Sequence, residues 1–464
     1  MTAAVVDAVA PVALPRRWTP LRPHPVQLAY ARSPHRFNVV PAGRRSGKTE
    51  RAKRKLIRRA LSLNLIKHDQ TPRFFAAAPT RDQAKRIYWA DLKAMTKQFW
   101  MGSPGETELI IRLVTGSEIV VTGLDKPERI EGSPWDGGIL DEYANMKAKA
   151  WGENVRPALS DRDGWCDLIG VPEGRNHYYD TFTKAQADML ERGAESEWGA
   201  YTWLSADILP AKEIEAARHD LDPLTYAQEY EASFVNFEGR AYYAFTDANK
   251  QRLRDRYNPA QPLIICLDFN VAPGVAAVAQ ELPLPNGLIG TAVIGEVWID
   301  NNSNTPAVCR KILIDWKDHQ AGVQVYGDAT GGARGTAKVE GSDWDLARKV
   351  LRGGDSAQGL KGFGDRVSFY VPQSNPAERA RVNAMNSRTC SVDGTIRLMA
   401  DPSTAPHVVR DLEGVRTLKG GSGEIDKKID PKLTHISDAL GYYVNYRFPI
   451  SDGNTATVSD FSIG

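Results

Sequence analysis

The run Pro41-Ala42-Gly43-Arg44-Arg45-Ser46-Gly47-Lys48-Thr49 decides how the first half of this chain is read. It follows the apolar segment Phe37-Asn38-Val39-Val40, which reads as a strand, and leads into a helix expected from Lys48 to Ser62. Small residues at such a junction let the backbone turn tightly, so that several N–H groups converge on phosphate oxygens. The helix that follows points the positive end of its dipole at the same anion. Gly43, Arg44, Arg45, Ser46 and Gly47 would cradle the phosphates of ATP. Lys48 would reach the β- and γ-phosphates, and the Thr49 hydroxyl would bind Mg²⁺. Ala42 stands where the usual pattern has glycine, and is small enough to serve there if its φ is negative.

A P-loop needs a second carboxylate for Mg²⁺ and a base for the attacking water. Gly138-Ile139-Leu140-Asp141-Glu142 supplies both at the end of one apolar strand. Asp141 would hold Mg²⁺ through water and Glu142 would orient and deprotonate the lytic water; alone, the pair could instead cap a following helix. Gln27 could read the adenine edge or be a surface helix residue. Arg44 or Arg45 could touch the γ-phosphate in cis. Arg129, in Pro127-Glu128-Arg129-Ile130-Glu131-Gly132, could be a finger on a neighbouring subunit's nucleotide or a surface ion-pair residue. The helix after the loop carries Arg51, Lys53, Arg54, Lys55, Arg58 and Arg59, which reads as a solvated face in preference to a DNA- or partner-facing patch.

Around the loop, strand and helix signals alternate: strands at 36–40, 74–78, 138–140 and 166–171, helices at 48–62 and 81–99, and a hairpin at 108–121 around Thr115-Gly116-Ser117. Such alternation implies a mainly parallel sheet flanked by helices, with ligands beyond the carboxyl ends of the strands. A helix-rich stretch covers 211–234.

The 464 residues exceed one hydrophobic core, and two domains are expected. We place a flexible arm at 1–20, a P-loop ATPase domain at 21–237, a polar linker at 238–258, a second domain at 259–450 and a disordered tail at 451–464. The net charge of +2 does not by itself demand a nucleic-acid partner, so any DNA site must come from local clustering. Four scattered cysteines without a CxxC pair argue against a zinc site and a disulfide framework. No apolar run approaches the roughly 20 residues that span a bilayer, so no membrane partner is expected.

The second half restarts with Leu263-Ile264-Ile265-Cys266-Leu267-Asp268, a buried strand ending in an acid. A meander at 275–280 and 290–299, a helix at 305–318, a strand at 323–327 ending at Asp328, a helix at 376–390, a strand at 394–399 and a helix at 434–446 carrying Asp438 follow. An acid on the first strand, one on the fourth and one on a late helix is the layout of an RNase H-like nuclease with a mixed sheet. Carboxylates converging on one point repel unless divalent cations lie between them, and two Mg²⁺ or Mn²⁺ ions about 4 Å apart would activate water for phosphodiester cleavage. Each acid alone could instead be structural. Glu296 or Asp300 could add a fourth acid. His435 could contact a metal or the scissile phosphate, or pack at the helix start. Lys427, Lys428 and Lys432 make a basic patch suited to a DNA backbone.

In order, Gln27, Gly43–Thr49, Ala78-Pro79-Thr80-Arg81-Asp82-Gln83-Ala84, Arg129–Gly132, Leu140-Asp141-Glu142 and Gly170-Val171-Pro172-Glu173-Gly174 resemble the large terminase subunits of tailed bacteriophages. Gln228-Glu229-Tyr230 and Phe234 resemble the end of that family's ATPase domain. The resemblance runs from about 27 to 446. The family's coupling motif usually has Thr or Ser where this chain has Val171, so a hydroxyl that could sense the γ-phosphate is missing. The resemblance implies ATP-driven translocation of double-stranded DNA into procapsids and metal-dependent cutting of concatemeric DNA. It further implies a pentameric ring on the portal protein, a small terminase subunit that selects DNA, and residence in the host cytoplasm with transient binding to the procapsid. The alternatives are a P-loop DNA helicase or translocase with a non-catalytic RNase H-like appendage, and a DNA-binding adaptor that keeps nucleotide as a switch. Glu142 argues against the last, because a switch needs no base.

Overall fold

The computed structural model describes residues 24–62, 70–235, 238–269, 272–329, 342–418, 423–430 and 432–450. The arm expected at 1–20 and the tail at 451–464 lie outside them. The chain forms two compact units: one holds the residues up to Ile214 together with Ala227–Val235, the other Glu215–Tyr226 and the residues from Asn236 on. Residues 241–253, in the segment expected as a linker, are not free. Ala241, Tyr242, Phe245 and Leu253 are buried in cores of the second unit.

The first unit is built on a seven-stranded sheet of order β3-β4-β2-β5-β6-β1-β7. Its strands are β1 (Phe37–Pro41), β2 (Arg73–Ala78), β3 (Ile110–Arg112), β4 (Glu118–Gly123), β5 (Gly137–Asp141), β6 (Trp165–Gly170) and β7 (Trp198–Ala200). All pairings are parallel except the β3–β4 hairpin. Every residue of β1, β5 and β6 is buried, which explains their unbroken apolar runs: elements cover both faces of the sheet. The P-loop helix is Lys48–Ala60. The helix expected over 81–99 contains a π turn at Lys85–Trp89, a wider coil than spacing alone can signal.

The second unit carries a six-stranded sheet of order β14-β11-β8-β9-β10-β15. The strands are β8 (Leu263–Asp268), β9 (Gly274–Pro283), β10 (Ile289–Ile299), β11 (Val323–Gly327), β14 (Val367–Tyr370) and β15 (Leu398–Ala400); β12 (Gly354–Asp355) and β13 (Leu360–Lys361) form a separate ribbon. β8, β9 and β10 run antiparallel as a meander, while β11 pairs parallel with β8 and with β14. This is the mixed, RNase H-like sheet, with a further parallel strand, β15, beside β10. Alternation on β8 separates two cores: Ile264 and Cys266 face one, Leu263, Ile265 and Leu267 the other. Helices Glu378–Thr389 and His435–Arg447 bury Val382, Met385, Ile436 and Tyr443 on the first side. The helix Asp343–Gly353, absent from the sequence reading, covers the other.

Candidate active sites

The P-loop turns at the carboxyl end of β1. Gly47 sits at φ 83 and Arg45 at φ 58. A Cβ at Gly43 would collide with Ser205 and with the Tyr230 carbonyl, so that position needs glycine for close approach. Ala42 is absent from the positive-φ residues, as its use here requires. The loop is clamped from several sides. Gln27 Nε2 and Trp203 Nε1 both donate to the Ser46 carbonyl, at 2.6 and 3.1 Å. The Arg44 guanidinium donates to Glu229 Oε2 at 2.6 Å, the Arg44 N–H to the Glu229 carbonyl at 2.6 Å, and Ser205 Oγ to the Arg44 carbonyl at 2.7 Å. Gln27, expected either at the adenine edge or on a helix surface, is buried; its amide donates to the Ser46 carbonyl and accepts from Arg51 Nε.

At the end of β5, two strands from β1, Asp141 accepts from Thr49 Oγ1 at 2.9 Å and from Tyr88 Oη at 2.8 Å. Thr49 and Asp141, the two residues expected at Mg²⁺, therefore meet directly, and their oxygens are the donors that a hard divalent cation takes. Glu142 follows in the left-handed region at φ 55, with its own N–H bonded to Asp141 Oδ1 at 2.9 Å. Burial raises the Glu142 carboxyl to about 6; Asp141 and Glu229 push the same way, Lys48 and Arg44 against it. It is a carboxylate poised near neutrality beside the loop lysine, the condition of a general base. Lys48 itself is buried.

The segment after β6 is tied to the same loop. The Ala42 N–H donates to the Gly170 carbonyl at 3.1 Å, and the Gly174 N–H to Gln228 Oε1 at 3.1 Å. Arg129 lies in the short helix Pro127–Ile130, is part exposed and meets Asp125 at 3.4 Å. The basic helix departs from its reading as a solvated face. Lys53 and Lys55 are buried and paired with Asp91 and Asp167, at 2.6 and 2.8 Å. Asp167 also accepts from Tyr30 and Asn38, so the charge is compensated and hydrogen-bonded.

In the second unit Asp268 ends β8, Asp328 follows β11 and Asp438 lies in the first turn of the last helix. Burial pushes the Tyr442 hydroxyl up to about 12; the Arg381 charge opposes this, and Asp328, Asp268 and Asp438 add to it. Asp438 is buried, and its two oxygens take Arg381 Nη2 at 2.6 Å and Lys427 Nζ at 3.2 Å. Burial raises its carboxyl, Arg381 and Lys427 lower it, and Asp268 raises it. Asp268 bonds His435 Nδ1 at 3.2 Å, and Asp328 accepts from Asn375 Nδ2 at 2.7 Å. Among the described residues no three His, Cys, Asp or Glu side chains are grouped so as to hold an ion. The oxygen donors suit divalent metal, and two protein cations compensate the acid that such an ion would bind.

The other expected contributors lie elsewhere. Glu296 is engaged by His407 Nδ1 at 2.5 Å and by the N–H groups of His407 and Val408, anchoring the start of helix Pro406–Gly414. Asp300 pairs with Lys432 at 3.2 Å and with Trp298. In the basic patch, Lys427 sits on Asp438 itself and the Lys428 N–H donates to Asp426 Oδ1. The sequence reading missed Tyr88 and Trp203 in the first unit, where it named Glu229 only in the resemblance to the end of the ATPase domain, and Asn375, Arg381 and Tyr442 in the second. One signal was available: Gly441 interrupts a helix, and a Cβ there would stand 2.8 Å from the Arg381 stem.

The family model described as "Terminase large subunit, T4likevirus-type, N-terminal" matches residues 40–250. Residues 40–250 are thus similar to the N-terminal region of phage terminase large subunits. The chain is 28% identical over 250 residues to the terminase large subunit of Thermus phage G20c, covering 48% of this chain and 50% of that protein. It is 25% identical over 216 residues to that of Escherichia phage T5, covering 46% and 47%. The chain thus matches about half the length of these relatives. In fold it is similar to the large terminase of a thermophilic bacteriophage solved with ATP-gamma-S, with TM-score 0.56, 15% identity and coverage of 91% of this chain and 98% of that one.

Proposed function

We propose that this chain is a terminase large subunit that hydrolyses ATP in its first unit to move double-stranded DNA into a procapsid, and cuts concatemeric DNA with divalent metal in its second. The observation that carries the first half is the Thr49–Asp141 hydrogen bond with Glu142 adjacent. Two oxygens that would share Mg²⁺ already face each other, and a carboxylate with a raised proton affinity stands beside them. Bound Mg²⁺ would supply charge to the β- and γ-phosphates. Lys48 and the loop N–H groups would hold the phosphates, and Glu142 would take the proton of the attacking water. Arg129, exposed and only loosely paired, is suited to reach a neighbour's nucleotide in a ring, which by the family resemblance is pentameric and docked on the portal protein, with a small subunit choosing DNA. Its place of work is the host cytoplasm, transiently on the procapsid.

In the second unit Asp268, Asp328 and Asp438 would hold two Mg²⁺ or Mn²⁺ ions, which would supply an activated water and stabilise the leaving oxygen when bound. Arg381 and Lys427 would give up or share Asp438 as metal enters. That Asp438 is already charge-compensated, with no three-ligand group among the described residues, is the observation favouring the second reading, a translocase with a non-catalytic appendage. Separate variants decide between them. Lys48→Ala should lower ATP turnover at least about 10²-fold and leave Mn²⁺-dependent plasmid cleavage measurable. Asp268→Ala should abolish cleavage and spare ATPase activity. Unchanged turnover in the first sinks the ATPase assignment; equal cleavage by Asp268→Ala and the parent chain makes the appendage reading correct.

A further inference from the structure

A cavity of about 140 Å³ opens at the carboxyl end of β11, against the acid cluster. Its walls include Tyr326, Tyr370, Tyr442 and Tyr446, and among the described residues no charged side chain lines it. Tyr326 and Tyr370 stack with ring centroids 4.7 Å apart and planes 8° from parallel. Tyr446 meets both, at 5.6 and 5.8 Å, with its ring turned by about 60°. It is also 50% exposed, a large aromatic face left toward water one helical turn after Tyr442. Asn375 and Asn445 add amide edges to the wall.

This wall is continuous with the acids. Asn375 lines the cavity and also donates to Asp328, and Tyr442 lines it one helical turn after Asp438. Walls of this kind have little to offer a phosphate. The cavity's size is that of a void which takes one benzene-sized ring, about 150 Å³, and is too small for a base pair. Aromatic faces with amide edges recognise a planar, neutral heterocycle that carries hydrogen-bond donors and acceptors.

We infer that this pocket takes a single unpaired nucleobase of the DNA strand presented to Asp268, Asp328 and Asp438, stacking it against Tyr446. The assignment rests on the nuclease reading for its purpose and on the cavity for its ligand. Seating one base requires opening its pair, so the pocket favours positions where pairing is weak and gives the second unit a local preference that backbone contacts cannot.

The test uses the full chain in EDTA with a single-stranded oligonucleotide in which one 2-aminopurine, an adenine analogue that dims when stacked, is walked along the strand. Quenching at one or two adjacent positions is expected. Tyr446→Ala should remove it and weaken binding about 5- to 100-fold, while Tyr446→Phe should restore both. Because Tyr446 is exposed, its truncation leaves the core intact. Quenching that is equal at all positions, or unchanged in Tyr446→Ala, overturns the pocket. Mn²⁺-dependent plasmid cleavage by the same preparation separates the two readings. Cleavage without localised quenching overturns the pocket alone. Localised, Tyr446-dependent quenching in a chain that does not cut supports the pocket and removes the nuclease.

Discussion

In the first unit Asp141 is held by neutral donors, the Thr49 and Tyr88 hydroxyls and the Glu142 N–H; in the second, Asp438 is held by two cations, Arg381 and Lys427. A carboxylate bonded to neutral groups keeps its charge for an arriving ion. One paired with guanidinium and ammonium has that charge already answered, and metal must compete for it. Both centres have an unusual backbone close by: Glu142 at φ 55, and Thr434, a β-branched residue four before Asp438, at φ 85. The contrast is therefore one of electrostatics, and it predicts a nucleotide site ready for Mg²⁺ and an acid site that metal must rearrange.

The sharpest way to break the comparison is at Glu142. Glu142→Gln keeps the shape and removes the base, so ATP turnover should fall about 10²- to 10⁴-fold with nucleotide binding retained. Turnover within a few-fold of the parent chain would move the base elsewhere. The same carboxylate sets a pH limb. It accepts a proton only when ionised, and burial places its ionisation near pH 6 instead of the usual glutamate range. Turnover should be level above about pH 7 and fall about tenfold per unit below 6; a profile flat down to pH 5 would rule Glu142 out as proton acceptor.

The acid centre is sharpened by Arg381→Ala. Asp438 and Arg381 are both buried, and losing the cation leaves a buried carboxylate with Lys427 alone. Metal-free unfolding of the second unit should weaken by about 3 kcal/mol. Mn²⁺ should restore much of it, because the ion replaces the missing charge; calorimetry of the full chain with and without Mn²⁺ measures both. Equal destabilisation in either condition would mean that Arg381 and metal do not share Asp438. The smallest effect on stability is expected for Arg129→Ala, whose partly exposed pair with Asp125 is worth well under about 1 kcal/mol. Its turnover should nevertheless fall, and mixing it with Glu142→Ala subunits should recover part of the activity. No recovery would place its role within its own subunit.

The two centres also differ in how far they could be read without a structure. Lys48 and Thr49 open the helix that follows β1, Asp141 and Glu142 stand at the end of β5, all are flanked by local patterns, and a parallel sheet brings such strand ends to one edge. The partners that hold them, Tyr88 on a π turn, Trp203 and Glu229, come from segments whose local patterns say nothing of the P-loop. The basic helix was misread for the same reason: a run of lysines and arginines looks solvated until Asp91 and Asp167, on other elements, are seen to enter its buried side. Glu296 looked like a fourth acid because it sits near a strand end, but the N-terminus of helix Pro406–Gly414 claims it.

By itself the sequence determined the class of each unit, the strand ends and the chemistry placed there, because hydrophobic periodicity and a glycine-lined turn act over a few residues. Only the tertiary structure decided which charges are buried, which carboxylate is answered by a cation and where a cavity is left beside the acids. Burial, dielectric and contact depend on neighbours far along the chain: Arg381 on Asp438, Asn375 on Asp328 and Glu229 on Arg44.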